Sequence, residues 1–195
     1  GNVATFTGSG GEILSGTSQL GAATEAVLVN YTSIGANAFD SSALTSITIP
    51  NSVTSINTEA FNNCTSLSSI TIPDYVTTIS NSAFKDCTSL SSIAIPDSVT
   101  SISAAAFTGC TSLSSFIVDS ANTTYSDLDG VLFNNDFTTL IDYPQGKTDT
   151  NYVIPNSLTS IEADAFNGTV ITYFIISSNT ATVLGITSPS TSVSF

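Results

Sequence analysis

The chain is poor in positive charge and in the side chains that most enzymes use. Its 195 residues include no His, Trp or Met, and its only cations are Lys85 and Lys147. Nucleic acid needs clustered Lys and Arg to neutralise its phosphates, and so does attraction to anionic lipid. Without His, neither a Ser-His nor a Cys-His nucleophile system can be built, and zinc loses its commonest nitrogen ligand. We therefore expect no catalytic residue, cofactor or metal, and no nucleic-acid partner.

Long apolar runs are also missing, although the chain is not especially polar. No uninterrupted apolar stretch approaches the ~20 residues of a membrane span, so no insertion into a membrane is expected. Hydrophobic residues make up 41% of the chain and charged residues only 9%, with a net charge of −13. Intrinsic disorder requires low hydrophobicity and high charge, so this composition predicts a folded protein. Its surface should be rich in uncharged Ser, Thr and Asn.

The sequence repeats one phrase at a fixed spacing. Copies that contain cysteine read NNCTSLSSITIP, KDCTSLSSIAIP and TGCTSLSSFIVD, at residues 62–73, 85–96 and 108–119. The cysteines are 23 residues apart. Weaker copies of the adjoining phrase, YTSIGANAF (31–39) and SLTSIEADAF (157–166), flank the array. Self-similarity at such a period is typical of a solenoid, in which each repeat is one coil.

Each repeat combines a strand pattern with a bend. Ile70 and Ile72 alternate with polar residues, as in a half-buried strand, and Pro73 ends that strand because proline cannot donate to a ladder. A second apolar pair, Val76 and Ile79, should turn inward on the return side of the coil. An Ala-Phe pair then follows on a short helical turn or tight bend, where Phe84 should fill the interior.

The order Leu-x-x-Ile-x-Ile-Pro, Val-Thr-x-Ile, Ala-Phe-x-x-Cys resembles the BspA-type leucine-rich repeat, over about residues 27–176. The resemblance implies a leucine-rich repeat solenoid, mainly β with short helical or 3-10 turns, in right-handed coils of about 23 residues. It also implies a non-enzymatic module for adhesion or protein–protein recognition, located extracellularly or at the cell surface. Its partner would be a host protein, a matrix protein or another cell.

One domain, residues 1–195, should hold five segments. They are an N-terminal cap (1–26), regular repeats (27–118), a hairpin insertion (119–151), final repeats (152–176) and a C-terminal cap or linker (177–195). The insertion resembles one that recurs in the family. Within it, GVLFNNDFTTLI predicts a β-hairpin with its turn at residues 134–136, protruding beside the array.

Acidic residues concentrate in the insertion. It holds six of the chain's fifteen acids: Asp119, Asp127, Asp129, Asp136, Asp142 and Asp149. Asp127-Leu128-Asp129-Gly130 is a fragment of a calcium-loop pattern, but the further oxygen ligands and the later Glu are missing. A turn that leads into the hairpin is therefore favoured over a calcium site.

The three cysteines could in principle form a disulfide or a metal site. Equivalent positions in adjacent coils lie ~5 Å apart, which is within disulfide range. Parallel side chains in a ladder point the same way, however, and do not converge on one another or on a metal. Buried free thiols that act as small apolar fillers are the preferred interpretation.

The outward residues of the first strand in each coil form the predicted partner-binding face. They are Ser46, Thr48, Ser69, Thr71, Ser92, Ala94, Ser115 and Ile117. Such a flat, uncharged array could bind a protein, a glycan or even ice, or no ligand at all. Threonines also line up on the return side, at 54, 77, 100 and 159. A carbohydrate-binding module and a structural spacer of a longer surface protein remain the alternatives to protein recognition. The N-x-[ST] sequons at Asn30, Asn63, Asn122 and Asn167 are interpreted as incidental.

Overall fold

The computed structural model describes residues 3–13, 20, 23–103 and 105–176. Its strands are β1 (Val3–Ile13), β2 (Glu25–Ile34), β3 (Ser46–Thr48), β4 (Ser55–Ile56), β5 (Thr78–Ile79), β6 (Ser92–Ile95), β7 (Ser101–Ile102), β8 (Ser115–Val118), β9 (Tyr125–Leu128), β10 (Val131–Asn134), β11 (Thr139–Asp142), β12 (Asn151–Val153), β13 (Ser160–Ile161) and β14 (Tyr173–Ile175). The predicted C-terminal cap or linker, residues 177–195, lies outside the described residues.

Over the residues just given, these strands stack into a β-solenoid of about 7 turns, with about 22 residues per turn and nearly no helix. The predicted leucine-rich repeat solenoid is confirmed. Most regular coils contribute one strand segment to each of two parallel columns. Residues 67–73 are the exception: Ile70 and Ile72 are buried as predicted, but they form no strand, so the strand predicted there is wrong. The first column contains β3, β6 and β8, and the second, on the return side, contains β4, β5 and β7. The long strand β2 joins both columns, since residues 25–27 pair with β3 and residues 33–34 pair with β4.

A ladder of phenylalanine rings fills the coil interior. In the first four copies the Phe of each Ala-Phe pair stacks nearly parallel on the next, with ring centroids 5.4, 5.3 and 5.5 Å apart along Phe39, Phe61, Phe84 and Phe107. Phe6 closes one end edge-on at 5.9 Å, and Phe116 closes the other at 5.2 Å. The ladder runs without a break because each coil places its Phe at the same point of the turn.

The bend around each phenylalanine uses left-handed backbone. In the second repeat Glu59 and Asn63 have φ of 58° and 56°, on either side of Phe61. The backbone N–H groups of all three residues donate to carbonyls of the next coil. The N···O distances are 3.1 Å for Glu59, 2.8 Å for Phe61 and 2.7 Å for Asn63. A left-handed non-glycine residue costs roughly 1–2 kcal/mol, and bonds between coils hold it in place. Gly109 has this conformation too (φ 81°), and an added Cβ would clash with Asp86 Oδ1.

The insertion contains the antiparallel pair β10–β11, which forms the hairpin. Residues 135–138 connect the two strands. Asn134 at the end of β10 shapes the connection, because its Oδ1 accepts hydrogen bonds from the N–H groups of Thr138 (2.9 Å) and Thr139 (2.8 Å). The connection therefore begins one residue later and ends two residues later than the predicted turn at 134–136, with Asn134 itself in the strand.

The expectation that this hairpin protrudes beside the array is wrong. Strand β11 pairs in parallel with β13 of the final coils, so the hairpin lies within the stack. Val131, Leu132 and Phe133 are all fully buried. Leu132 packs into the core of the regular coils, whereas Val131 and Phe133 pack into a second core under the final coils. A strand with two apolar faces is stable only between two packed layers.

Candidate recognition face and adjacent cavity

The eight residues of the predicted partner-binding face all lie on the outer side of the first column, and none is buried. We call these eight residues the strand face. Between β6 and β8 they are directly in register, because Ser92 pairs with Ser115 and Ala94 pairs with Ile117. Backbone bonds from Ser68 to Thr45 and from Ser91 to Ser68 join the same column across the earlier coils. Whether this face binds a partner stays a prediction.

The chemistry of the strand face changes along the array. Its more exposed positions run from Thr48 and Thr71 to Ala94 and then to Ile117, which is 55% exposed. Val153 in β12 occupies the equivalent place in its own Ile-Pro phrase and is 61% exposed. The outer surface thus passes from hydroxyl-bearing to apolar towards the final coils.

The insertion covers the edge of β8. The Phe116 N–H donates to the carbonyl of Gly130 at 2.9 Å, and the Val118 N–H donates to Asp127 Oδ1 at 2.9 Å. Gly130 is required there, since it has φ of 78° and a Cβ would lie 2.8 Å from the Cβ of Ser115. Asp127 therefore holds the insertion against the sheet edge, which agrees with the turn interpretation. Among the described residues no three His, Cys, Asp or Glu side chains lie so that they could hold a metal ion.

A cavity of about 230 Å³ opens beside the apolar end of this surface. Its lining comes from the insertion and from β12: Leu128, Asp129, Val131, Tyr143, Lys147, Asp149, Asn151, Tyr152 and Val153. Leu128, 43% exposed, and Val153 are its exposed apolar residues. Tyr152 Oη is buried and makes no hydrogen bond to any residue that the structure describes.

Two carboxylates and one ammonium set the charge of this cavity. Lys147 Nζ lies 3.6 Å from Asp149 Oδ2 and donates to the backbone carbonyl of Asp129 at 3.0 Å. The Tyr143 hydroxyl donates to Asp149 at 3.3 Å, and burial together with Asp149 raises the pKa of Tyr143 to about 12. Burial also raises the pKa of Tyr152, and the charges of Tyr143 and Asp129 add to that effect. Both phenols are therefore neutral at physiological pH, and the cavity carries an excess of one negative charge.

Sequence reasoning missed this cavity and its rim. It singled out Asp129 and Asp149 only as members of an acidic cluster and did not select Leu128, Val153 or Tyr152. A usable signal was present: the NYVIP phrase of residues 151–155 places an apolar side chain where SITIP (46–50) has the outward Thr48.

The cysteines are free and buried, as predicted. Each thiol donates to the carbonyl of the Phe in the preceding coil: Cys64 to Phe39 at 3.1 Å, Cys87 to Phe61 at 3.2 Å and Cys110 to Phe84 at 3.0 Å. The neighbouring Cys110 and Cys64 thiols, together with burial, raise the pKa of Cys87. A protonated, enclosed thiol is a poor nucleophile, so Cys87 has a structural role, and all three thiols are closed off from solvent. Ser42 extends it by one coil, with its Oγ 3.1 Å from Cys64 Sγ.

The threonine column on the return side is also structural. Its hydroxyls donate to a backbone carbonyl of the preceding coil at 3.1–3.4 Å, as seen for Thr54, Thr77, Thr100 and Thr159. These donors are used within the stack. The return side is therefore a weaker candidate for a binding surface than the strand face.

Asp142, at the end of β11, gives the fold a pH dependence. Burial raises its pKa to about 8, whereas an unfolded Asp titrates near ~4. The folded state thus favours the protonated carboxyl, so this contribution to stability is complete below pH ~4 and is lost as pH rises towards ~8. We expect Asp142→Asn to raise the free energy of unfolding at pH 8 and to change it little at pH 4. Urea denaturation at both pH values measures this, and an equal effect at both would contradict it.

Comparison with known proteins agrees with this architecture. The BspA type leucine rich repeat region, in six copies, matches residues 32–152 and 143–185. No curated protein matches the chain in sequence. Within the part of the chain that the structure describes, there is no helix of the length and apolarity needed to cross a membrane.

Three solved structures share the fold. A leucine-rich repeat protein from Eubacterium ventriosum is 25% identical with a TM-score of 0.73, over 90% of this chain and 56% of that one. A leucine rich cell surface protein from Faecalibacterium prausnitzii is 28% identical with a TM-score of 0.64, over 79% and 49%. The pneumococcal vaccine antigen PcpA, 23% identical with a TM-score of 0.64 over 80% and 45%, shows the fold alone. The chain spans about half the length of these solved chains. With the repeat, the coil geometry and the six matched copies in agreement, the chain belongs to the BspA-type leucine-rich repeat family.

Proposed function

We propose that this chain is a non-enzymatic recognition module of a cell-surface or secreted protein, and that it binds a protein partner through the strand face. The observation that carries the proposal is the strand face itself. Eight small or apolar side chains without charge stand in successive coils on a continuous phenylalanine core. A partner that covers them desolvates no charge on this face. Because backbone hydrogen bonds between coils hold the face in place before binding, little conformational entropy should be lost when a partner binds.

One solved relative supports the surface location. The Faecalibacterium prausnitzii protein is described as a cell surface protein. That description applies to that protein, and the present chain shares its repeat architecture. We therefore infer that the chain lies outside the cell or at its surface, where it adheres to a matrix protein or to another cell. This is the simplest role that combines the repeat architecture with the strand face.

A carbohydrate-binding role is the alternative, and ordered hydroxyls at Thr48 and Thr71 favour it. Sugars usually stack on an exposed aromatic ring, for which Trp is best suited, and this chain has no Trp. Of the two tyrosines at the cavity, Tyr143 is fully buried. A structural spacer of a longer surface protein, with no ligand of its own, is the third possibility.

Arrays of immobilised extracellular-matrix proteins and of glycans test the proposal. Residues 1–195 are applied to both arrays over a concentration series. Saturable binding to one or more matrix proteins is expected. Saturable binding to glycans alone would favour the carbohydrate-binding role, and saturable binding to neither array would favour the spacer; both results contradict the proposal.

A further inference from the structure

We propose that the cavity beside Leu128 and Val153 receives an arginine side chain of the protein partner. The inference rests on the proposed recognition function and names one contact within it. It places the charge-specific part of recognition at the insertion, next to the uncharged strand face. Shape and charge support it separately.

The size and walls of the cavity suit a single long side chain. Its volume of about 230 Å³ lies below the range of ~300–1,000 Å³ that is typical of sites for drug-sized molecules. Leu128 and Val153 are 43% and 61% exposed, so they can pack against the apolar stem of an entering side chain. Ile117, at the end of the strand face, is also an exposed apolar side chain.

The charges select a cation. Asp129 and Asp149 line the cavity with Lys147, and the ion pair between Lys147 and Asp149 leaves Asp129 as the uncompensated charge. The chain as a whole carries −13, so a basic partner is also attracted over longer distances. A guanidinium has five N–H donors in a planar fork that matches a carboxylate.

Other occupants fit less well. An anionic group would meet the excess negative charge, and a sugar would find Tyr143 fully buried against Tyr152 and Phe166, with ring centroids 5.1 and 5.4 Å apart. A purely apolar side chain would leave the Asp129 carboxylate desolvated without a partner, which is unfavourable.

The test uses two small probes on the whole chain, followed by amide NMR shifts. The first probe is N-acetyl-arginine N-methylamide, and the second is its citrulline analogue, which has nearly the same shape but no charge. With the arginine probe we expect saturable amide shifts at residues 128–129 and 151–153. With the citrulline probe we expect a dissociation constant about tenfold larger, because the charge-assisted hydrogen bond is lost. Equal binding of the two probes, no saturable binding, or shifts that avoid these residues would overturn the proposal.

Four variants, in two matched pairs, separate a specific contact from general attraction. Asp129→Asn should weaken the arginine probe about tenfold, whereas Asp74→Asn, with the same change in net charge at an exposed turn, should not. Asn also suits the left-handed backbone at Asp129, which has φ of 53°. Lys147→Gln should strengthen binding because it removes the competing ammonium, whereas Lys85→Gln should leave it unchanged. Equal effects within either pair would overturn the proposal.

The two proposals can fail independently. If matrix proteins bind but the arginine probe does not, the recognition function stands and the arginine contact is wrong. If the probe binds in the cavity but no matrix protein is captured, the proposed function is contradicted, because the cavity then serves some other cationic ligand.

Discussion

Replacing Phe84 with Ala is expected to lower the free energy of unfolding by about 3–5 kcal/mol. The Phe84 side chain is 0% exposed and stacks between Phe61 and Phe107 at 5.3 and 5.5 Å. Truncation removes its buried apolar surface and leaves a cavity in the middle of the ladder, with both neighbouring rings losing a contact. Urea denaturation of the variant and of the unchanged chain measures the difference.

Tyr75→Ala is the matched control for this prediction. Tyr75 belongs to the same coil but is 62% exposed, so its truncation should cost no more than about 0.5 kcal/mol. A loss below about 1 kcal/mol for Phe84→Ala, or losses of the same size for the two variants, would mean that the coils do not share a continuous core.

Asn122→Ala should cost about 3 kcal/mol, which is unusual for a polar residue in a connecting segment. Asn122 is 4% exposed and uses both ends of its amide. Its Nδ2 donates to the carbonyls of Pro96 (2.7 Å) and Val99 (3.1 Å), and its Oδ1 accepts from the N–H groups of Thr124 and Tyr125, both at 2.8 Å. Alanine removes all four bonds and leaves backbone groups without these partners, at about 0.5–1.5 kcal/mol each.

The same measurement distinguishes this role from that of an ordinary surface asparagine. Asn156→Ala, at an exposed turn, should stay within about 0.5 kcal/mol of the unchanged chain. If Asn122→Ala lowers the free energy of unfolding as little as Asn156→Ala does, the hydrogen bonds of Asn122 do not hold the insertion against the regular coils. The buried amide also explains why the Asn122 sequon should carry no glycan in the folded protein.

The repeat made the regular coils predictable, because a period of 23 residues assigns inward and outward positions without knowledge of distant contacts. Phe84, Cys87 and the strand face all lie where that period places them. The hairpin was predicted from local turn chemistry at residues 134–136, which concerns only neighbouring residues. Its burial depends on pairing between β11 and β13, which no local pattern specifies.

The cavity was beyond sequence reasoning for the same reason. Residues 128–131 lie beside residues 143–153 only because the insertion forms its own part of the stack between the two cores. Within the insertion the period is broken, so there was no equivalent copy from which to assign the neighbours of Asp129 or Tyr152. The regular repeat therefore predicted the strand face. The cavity, which has the more distinctive chemistry, is formed by the irregular insertion together with β12.

The central claim is that recognition takes place on the strand face, and one pair of variants tests it most directly. Ala94→Glu places a charge on that face in β6, and Ser101→Glu places the same charge on the return side in β7; both positions are exposed. The dissociation constant of each variant is measured against a matrix protein captured on the array. We predict a loss of about tenfold or more for Ala94→Glu and a change within about twofold for Ser101→Glu. Equal losses, or a larger loss for Ser101→Glu, would contradict the account.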